Sequence, residues 1–199
     1  MFQRAVPGII CFLFCQLLAS AQSLRFSQSV GLGLFTARNY LSGGLVYSPR
    51  YNFFVLSPRA AVSVGTHLGL GANLHESYTS NSSGESSSVF IIDVPLVINY
   101  NYGNAATRKA SQRWGFFAGG GYGFHNASRN IDNTDLEEES GTEAIHIKGP
   151  VLNAGLQFPL GRSSLSLRGA WLLNDGTNNK DIQSITSVGV SYNIGVHFK

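Results

Sequence analysis

The chain of 199 residues is poor in charge, in cysteine and in long apolar runs. Charged residues make up 13% of it, about half the roughly 25% usual for a soluble globular domain. No excess of apolar residues compensates, since they stand at 43%. That balance argues against a water-exposed helical protein. A helical inner-membrane protein is equally disfavoured, because the one long apolar stretch, Val6 to Leu18, interrupted only by Gln16, falls short of the ~20 residues a spanning helix needs.

The short apolar run has its own explanation. Arg4 supplies a positive start, Val6 to Leu18 an apolar centre, and Ala19-Ser20-Ala21 a small-x-small cleavage site, the pattern of an export signal. Residues 1–21 are expected to be removed, leaving 22–199 as one domain. Both cysteines, Cys11 and Cys15, fall inside the leader, so the exported part has none and must draw its stability from packing or from a membrane. Without Arg4, the 14 Lys and Arg become 13 against 11 Asp and Glu, too even a balance to suggest nucleic acid as a partner.

What the chain does have is glycine, 23 in all, and an alternation of period two. Strand side chains point to opposite faces in turn. In Val89 to Tyr100 the residues Phe90, Ile92, Val94, Leu96, Ile98 and Tyr100 share one face, while Asp93, Pro95 and Asn99 share the other. The C-terminal segment repeats this with Val188, Val190, Tyr192, Ile194, Val196 and Phe198 against Ser187, Gly189, Ser191, Asn193, Gly195 and His197. Six more segments fit: around Val30–Leu34, Phe54–Val64, Leu68–Leu74, Trp114–Phe124, Ile145–Phe158 and Leu165–Asn174. In the sixth strand Ile145 and Ile147 are out of phase with Leu152 to Phe158, which predicts a bulge or phase change near Gly149-Pro150.

The alternation therefore predicts eight strands, with polar loops over 41–52, 79–87, 126–143 and 175–184. Tight turns are expected at Gly65-Thr66 and Gly161-Arg162-Ser163, and a longer turn over Asn101 to Arg113. Long loops at one end and short turns at the other predict an all-β, eight-stranded antiparallel up-and-down transmembrane barrel. A lumen that narrow suits the small and polar face, so the bulky face must point to lipid. Two aromatic girdles are expected: Phe54, Tyr78, Phe90 and Phe124 toward the loops, and Tyr100, Trp114, Phe158 and Phe198 toward the turns. The alternative from another class is a soluble or periplasmic carrier of lipocalin type, with the apolar face inside.

The stretch Ile91-Ile92-Asp93-Val94-Pro95-Leu96-Val97-Ile98-Asn99-Tyr100 resembles the outer-membrane β-barrel domain family that includes the PorT-like proteins, as do Leu56-Ser57-Pro58-Arg59 and Val190 to Phe198. Small OmpA-like or OmpX-like eight-stranded barrels share the same plan. The resemblance spans roughly the whole exported part and implies the fold, an outer-membrane location and recognition by the barrel-assembly machinery. The terminal aromatic commonly read by that machinery is displaced here, because Lys199 follows Phe198. The family implies no activity, and fold supplies none.

Candidate chemistry is sparse. Arg59, Asp93 and Arg168 fall on the predicted inward face, where Asp93 is expected to pair with one or both arginines, since an unpaired charge in a narrow lumen is costly. Asp132, Asp135, Glu137, Glu138 and Glu139, with Glu143 nearby, form an acidic loop. Its oxygens make a weak Ca²⁺ candidate without EF-hand spacing, and a solvated surface loop is the simpler reading. His75, His125 and His146 lie toward the loops near Glu76, Ser77 and Ser128, but no hydrolase motif surrounds them, so a lipid-modifying enzyme is a minor alternative. Gly119-Gly120-Gly121-Tyr122-Gly123 lies inside a strand with no GK[ST] after it, which excludes a nucleotide loop. The expectation is a non-enzymatic barrel with no cofactor and no metal. Its predicted partners are outer-membrane lipid, the assembly machinery and an unidentified surface or secretion-system protein.

Overall fold

The computed structural model describes residues 25–37, 40–73, 90–110, 112–131, 141–161 and 163–194. Nine segments follow one another: β1 (Phe26–Ala37), β2 (Tyr40–Ser57), β3 (Ala60–Thr66), β4 (Leu68–Asn73), β5 (Phe90–Gly103), β6 (Gly115–Ile131), β7 (Gly141–Leu160), β8 (Ser163–Leu173) and β9 (Ser184–Ile194). β3 and β4 are two halves of one strand, because both pair with β2 on one side and with β5 on the other, with His67 between them. The rest pair with their chain neighbours, all antiparallel, and β1 pairs with both β2 and β9. Nine segments thus make eight strands in a closed ring. Closure leaves no sheet edge with unpaired N–H and C=O groups.

The outward face is apolar. Leu32, Leu45, Leu70 and Leu96 are each more than 60% exposed, and along β5 every second residue from Ile92 to Tyr102 is an exposed Ile, Val, Leu or Tyr. At about 3.3 Å per residue that run rises about 33 Å along the strand, or about 25 Å after the ~40° tilt usual in such barrels, the height of a hydrocarbon band. Aromatic rings gather at the turn end, where Trp114 and Phe158 (6.0 Å between ring centres), Tyr102 and Phe116 (5.7 Å), and Tyr100 and Phe116 (6.3 Å) touch. Phe54, packed on Phe53, lies in the last residues of β2 before the reversal at 58–59, so it belongs to the turn end and not to the loop end expected for it. Phe124 packs on Tyr122 at 5.6 Å. Tyr78 and Phe198 lie outside the described residues, and for Phe90 only the backbone is described.

The first third of the chain takes a different course from the one its alternation predicts. Residues 41–52 are not a loop but the body of β2. Leu41, Leu45 and Tyr51 are exposed outward, and Ser42, Val46, Ser48 and Asn52 are buried inward. The chain reverses at Pro58-Arg59, and Gly65-Thr66 ends β3 instead of making a turn. Small lumen-facing residues such as Ser42, Gly44 and Ser48 dilute the apolar signal of β2. The run from Phe54 to Val64 keeps its period straight through the reversal, helped by the register shifts at Asn52/Phe54 and Val55/Ser57.

The connections then sort by end. Residues 38–39, 74–89, 132–140 and 174–183 join strands at the loop end, and 58–59, 104–114 and 161–162 at the turn end. Glycine permits one close approach needed here: a Cβ on Gly69 would come within 2.6 Å of the Phe35 ring, so the bare backbone makes room for a buried phenylalanine.

Candidate functional site: the barrel lumen

The lumen has two chemistries along its axis. Toward the loops, Phe35, Val46, Ile91, Ile145, Ile147, Val151, Leu172, Ile182 and Ile185 are all buried in one apolar cluster. This corrects the expectation of a small, polar interior throughout. It also corrects the predicted phase change, since β6 and β7 pair without a shift from Gly115↔Gln157 to Ile131↔Gly141. Ile145 and Ile147 are out of phase with Leu152 because they face the lumen, and Val151 continues their row.

Ile182 enters this cluster from the 174–183 loop, which is tied down by side chains. Asn174 Nδ2 donates to the carbonyls of Asn178 (2.8 Å), Asn179 (3.1 Å) and Ile182 (2.8 Å). Asn179 reaches across to β7, accepting from His146 N (2.8 Å) and donating to Ala144 O (3.2 Å). Asp175 accepts from Thr177 N (2.9 Å) and from the Tyr122 hydroxyl (3.3 Å), with Lys148 Nζ 3.8 Å away. The Thr177 hydrogen bond first, and the Lys148 charge after it, hold the Asp175 carboxyl below its ordinary value.

Toward the turns the inward positions are polar. Arg50 spans the space: Nε donates to Ser27 Oγ (3.0 Å), Nη1 to Asn101 Oδ1 (2.8 Å) and Nη2 to Ala105 O (2.5 Å). Asn101 Nδ2 donates in turn to Ser63 Oγ at 2.8 Å. On the far wall Asn193 Nδ2 donates to Ser166 Oγ at 2.8 Å and Ser164 Oγ at 3.2 Å. The 104–114 connection, expected as a plain turn, folds back into this mouth. Ala105 and Ala106 are fully buried, and their carbonyls accept from Arg50 and Asn52 (3.0 Å). Thr107 Oγ1 donates to Pro58 O (2.5 Å).

Between the halves sit the remaining ionisable groups. Asp93 and His125 face each other in register on β5 and β6, with Oδ1 and Nδ1 3.0 Å apart and the histidine fully buried. Phe35 packs on that imidazole, 5.7 Å between ring centres. His67, at the break between β3 and β4, contacts Ser48 Oγ through Nδ1 at 2.8 Å. Arg168 is 5% exposed and shares a cavity of about 10 Å³ with Asp93 and His67.

The predicted charge network is therefore only partly assembled. Asp93 and Arg168 do face the lumen, but the hydrogen-bond partner of Asp93 found here is His125. Arg59 is not inward but exposed in the Pro58-Arg59 reversal, where its carbonyl accepts from Gly103 N (2.8 Å); the unbroken period from Phe54 to Val64 conceals that reversal. Arg50, His67 and His125 complete the set. The loop-like composition of 41–52 conceals Arg50, although Leu41, Leu45 and Tyr51 carry the alternation of a strand. Of the candidate histidines, His125 is inside, and His146 contacts Asn126 Oδ1 at 2.9 Å on the outside. His75, Glu76 and Ser77 lie outside the described residues, as do Asp132, Asp135, Glu137, Glu138 and Glu139; Ser128 and Glu143 have no described side chain. Among the described residues no three His, Cys, Asp or Glu side chains are placed to hold a metal ion.

No protein-family model and no curated protein matches the chain. Solved structures do. Neisserial surface protein A is 10% identical, with 86% of this chain and 95% of that one covered, at a TM-score of 0.50. Ail, the attachment invasion locus protein of Yersinia pestis, is 14% identical over 85% of this chain and 98% of its own, at 0.49. The N-terminal β-barrel domain of Pseudomonas aeruginosa OprF is 12% identical over 87% and 100%, at 0.48. At such identities the likeness to the Neisserial protein shows the fold alone, an eight-stranded antiparallel up-and-down barrel of the outer-membrane kind.

Proposed function

We propose that the chain is an integral outer-membrane protein of a Gram-negative bacterium, exported through its leader, whose sealed barrel is a non-enzymatic support for loops at one end. The observation that carries this reading is the band of exposed Leu, Ile, Val and aromatic side chains around a ring without edges. Water would penalise that band by roughly 25 cal/mol for each Å², and a lipid acyl region would not. PorT-like membership belongs to the same proposal and rests on the strand motif from Asp93 to Tyr100.

The carrier alternative needs a ligand-sized apolar cavity, commonly 300 Å³ or more (roughly). A lumen cavity bordered by Arg50 and Arg168 has a volume of about 40 Å³, far below that size. With the lumen filled by side chains at both ends, the loops are the surface on which envelope integrity, adhesion or a secretion accessory role would depend.

Membrane fractionation with heat-modifiable gel mobility tests the proposal: the chain should pellet with membranes and shift on boiling. Recovery in the soluble fraction without detergent overturns it. Planar-bilayer recording should give no stepwise conductance, and regular steps would overturn the sealed lumen. Crosslinking from the 126–143 segment in intact cells then identifies the partner.

A further inference from the structure

We propose that the turn-side lumen binds a small monovalent anion of halide size beside Arg168. The starting point is a charge imbalance. Among the described lumen-facing residues there are two guanidinium groups, Arg50 and Arg168, and one carboxylate, Asp93. Arg50 meets only neutral acceptors, a serine hydroxyl, an asparagine oxygen and a backbone carbonyl. Asp93 is engaged by His125. Arg168 is 95% buried by its 5% exposure, and neither Nη1 nor Nη2 finds a hydrogen-bond acceptor among the described residues.

A buried guanidinium with free donors is expensive, costing several kcal/mol in order of magnitude, unless something supplies negative charge or acceptor atoms. The second observation is the cavity on which both arginines border, about 40 Å³ in volume. Its wall carries the hydroxyls of Ser27, Ser48, Ser166 and Ser191 and holds no carboxylate. Asp93 borders the smaller cavity instead. Hydroxyls donate as readily as they accept. The wall also holds the side-chain oxygens of Asn99 and Gln157, which lack a donor among the described residues and suit a companion water, and it is the two guanidinium groups without a carboxylate that favour an anion over a cation here. Size limits the class. The volume takes about three water-sized occupants, which admits a halide with a water and excludes organic acids and phosphate esters. The single excess positive charge matches one negative charge.

The test uses the purified folded barrel in detergent, with chloride, bromide and gluconate as probes at constant ionic strength. Gluconate is too large to enter. Replacing gluconate by chloride should lower the urea-unfolding equilibrium constant about tenfold, as for a site whose dissociation constant is about a tenth of the salt concentration. Arg168→Met removes the excess positive charge and keeps the length of the side chain, while Asp93 keeps His125 as its hydrogen-bond partner, so the variant is expected to fold and to lose the chloride dependence. Equal stability in the two salts, or an equal response in Arg168→Met, overturns the proposal. Should that variant fail to fold, bromide-soaked crystals of the parent decide. An anomalous peak within about 3.5 Å of the Arg168 guanidinium supports the site, and water alone there overturns it.

Discussion

Toward the loops the barrel interior is filled by Phe35, Ile91, Ile145, Ile147 and Ile182; toward the turns the same kind of inward position carries Asn52, Asn101, Gln157, Ser166 and Asn193. Both halves belong to the same strands, so strand geometry does not explain the difference. The plug does. At the turn end the 104–114 segment brings backbone carbonyls, which need donors, and Arg50 and Asn52 provide them. At the loop end the 174–183 segment satisfies its own carbonyls through Asn174 and can offer the lumen a bare apolar side chain, Ile182. Buried backbone must be paired somewhere, and where that pairing is made decides what each end of the lumen is built from.

The apolar half is the more sensitive of the two to substitution. Ile145→Asp places an uncompensated carboxylate in a fully buried apolar site and should cost more than about 4 kcal/mol. The boiled and unboiled forms should then run alike on a gel, and a normal heat shift would mean that this half is wet. Asp93→Leu comes next, at about 3 kcal/mol, because it strands His125 and leaves the nearby Arg168 without a neighbouring carboxylate. The urea midpoint in detergent reads this directly, and an unchanged value refutes a structural role for the pair. Ile182→Ala should cost about 2 kcal/mol through the cavity it leaves, and should expose residues 175–183 to protease while the barrel stays folded.

On the polar side Asn101→Ala should cost about 1–2 kcal/mol, since Arg50 Nη1 and Ser63 Oγ both lose a partner. A smaller cost than for Ile182→Ala sharpens the contrast, because water can replace a polar partner near the mouth and cannot fill a dry apolar gap. The smallest effect belongs to Asp175→Asn on the loop surface. The folded-state pKa of Asp175 is depressed, so its contribution is present above the ordinary aspartate value of 3.8 and fades as pH falls through the lower folded value. The variant and parent should therefore converge in thermal stability at acid pH.

How much of this was legible depended on how strongly each strand alternates. β5 shows its full pattern, because every outward position from Ile92 to Tyr102 is bulky and apolar or aromatic, while Asp93, Asn99 and Asn101 mark the inward row. β2 does not, because Gly44, Ser42 and Ser48 on its inner face resemble loop composition, and its turn at Pro58-Arg59 interrupts no period. Asp93 was identifiable as an inward charge. Its partner was not, because His125 is 32 residues away and the pairing depends on the register of β5 against β6. Arg50 and Asn101, 51 residues apart, are further removed still, since they meet across the lumen and belong to strands that do not pair with each other.

The amino-acid order by itself determined that strands form, that most carry one greasy face and that eight of them are expected, because period-two alternation is a local property; where β2 runs and turns, and that β1 closes on β9, came from pairing. Only the tertiary structure decided what fills the ring. Inward side chains meet across a closed lumen according to stagger and to the plugs folded in from each end, and neither is encoded in any one strand's alternation. Ile145 read as a flaw in a strand becomes part of a dry cap, and Arg50 read as a loop residue becomes the centre of the polar half.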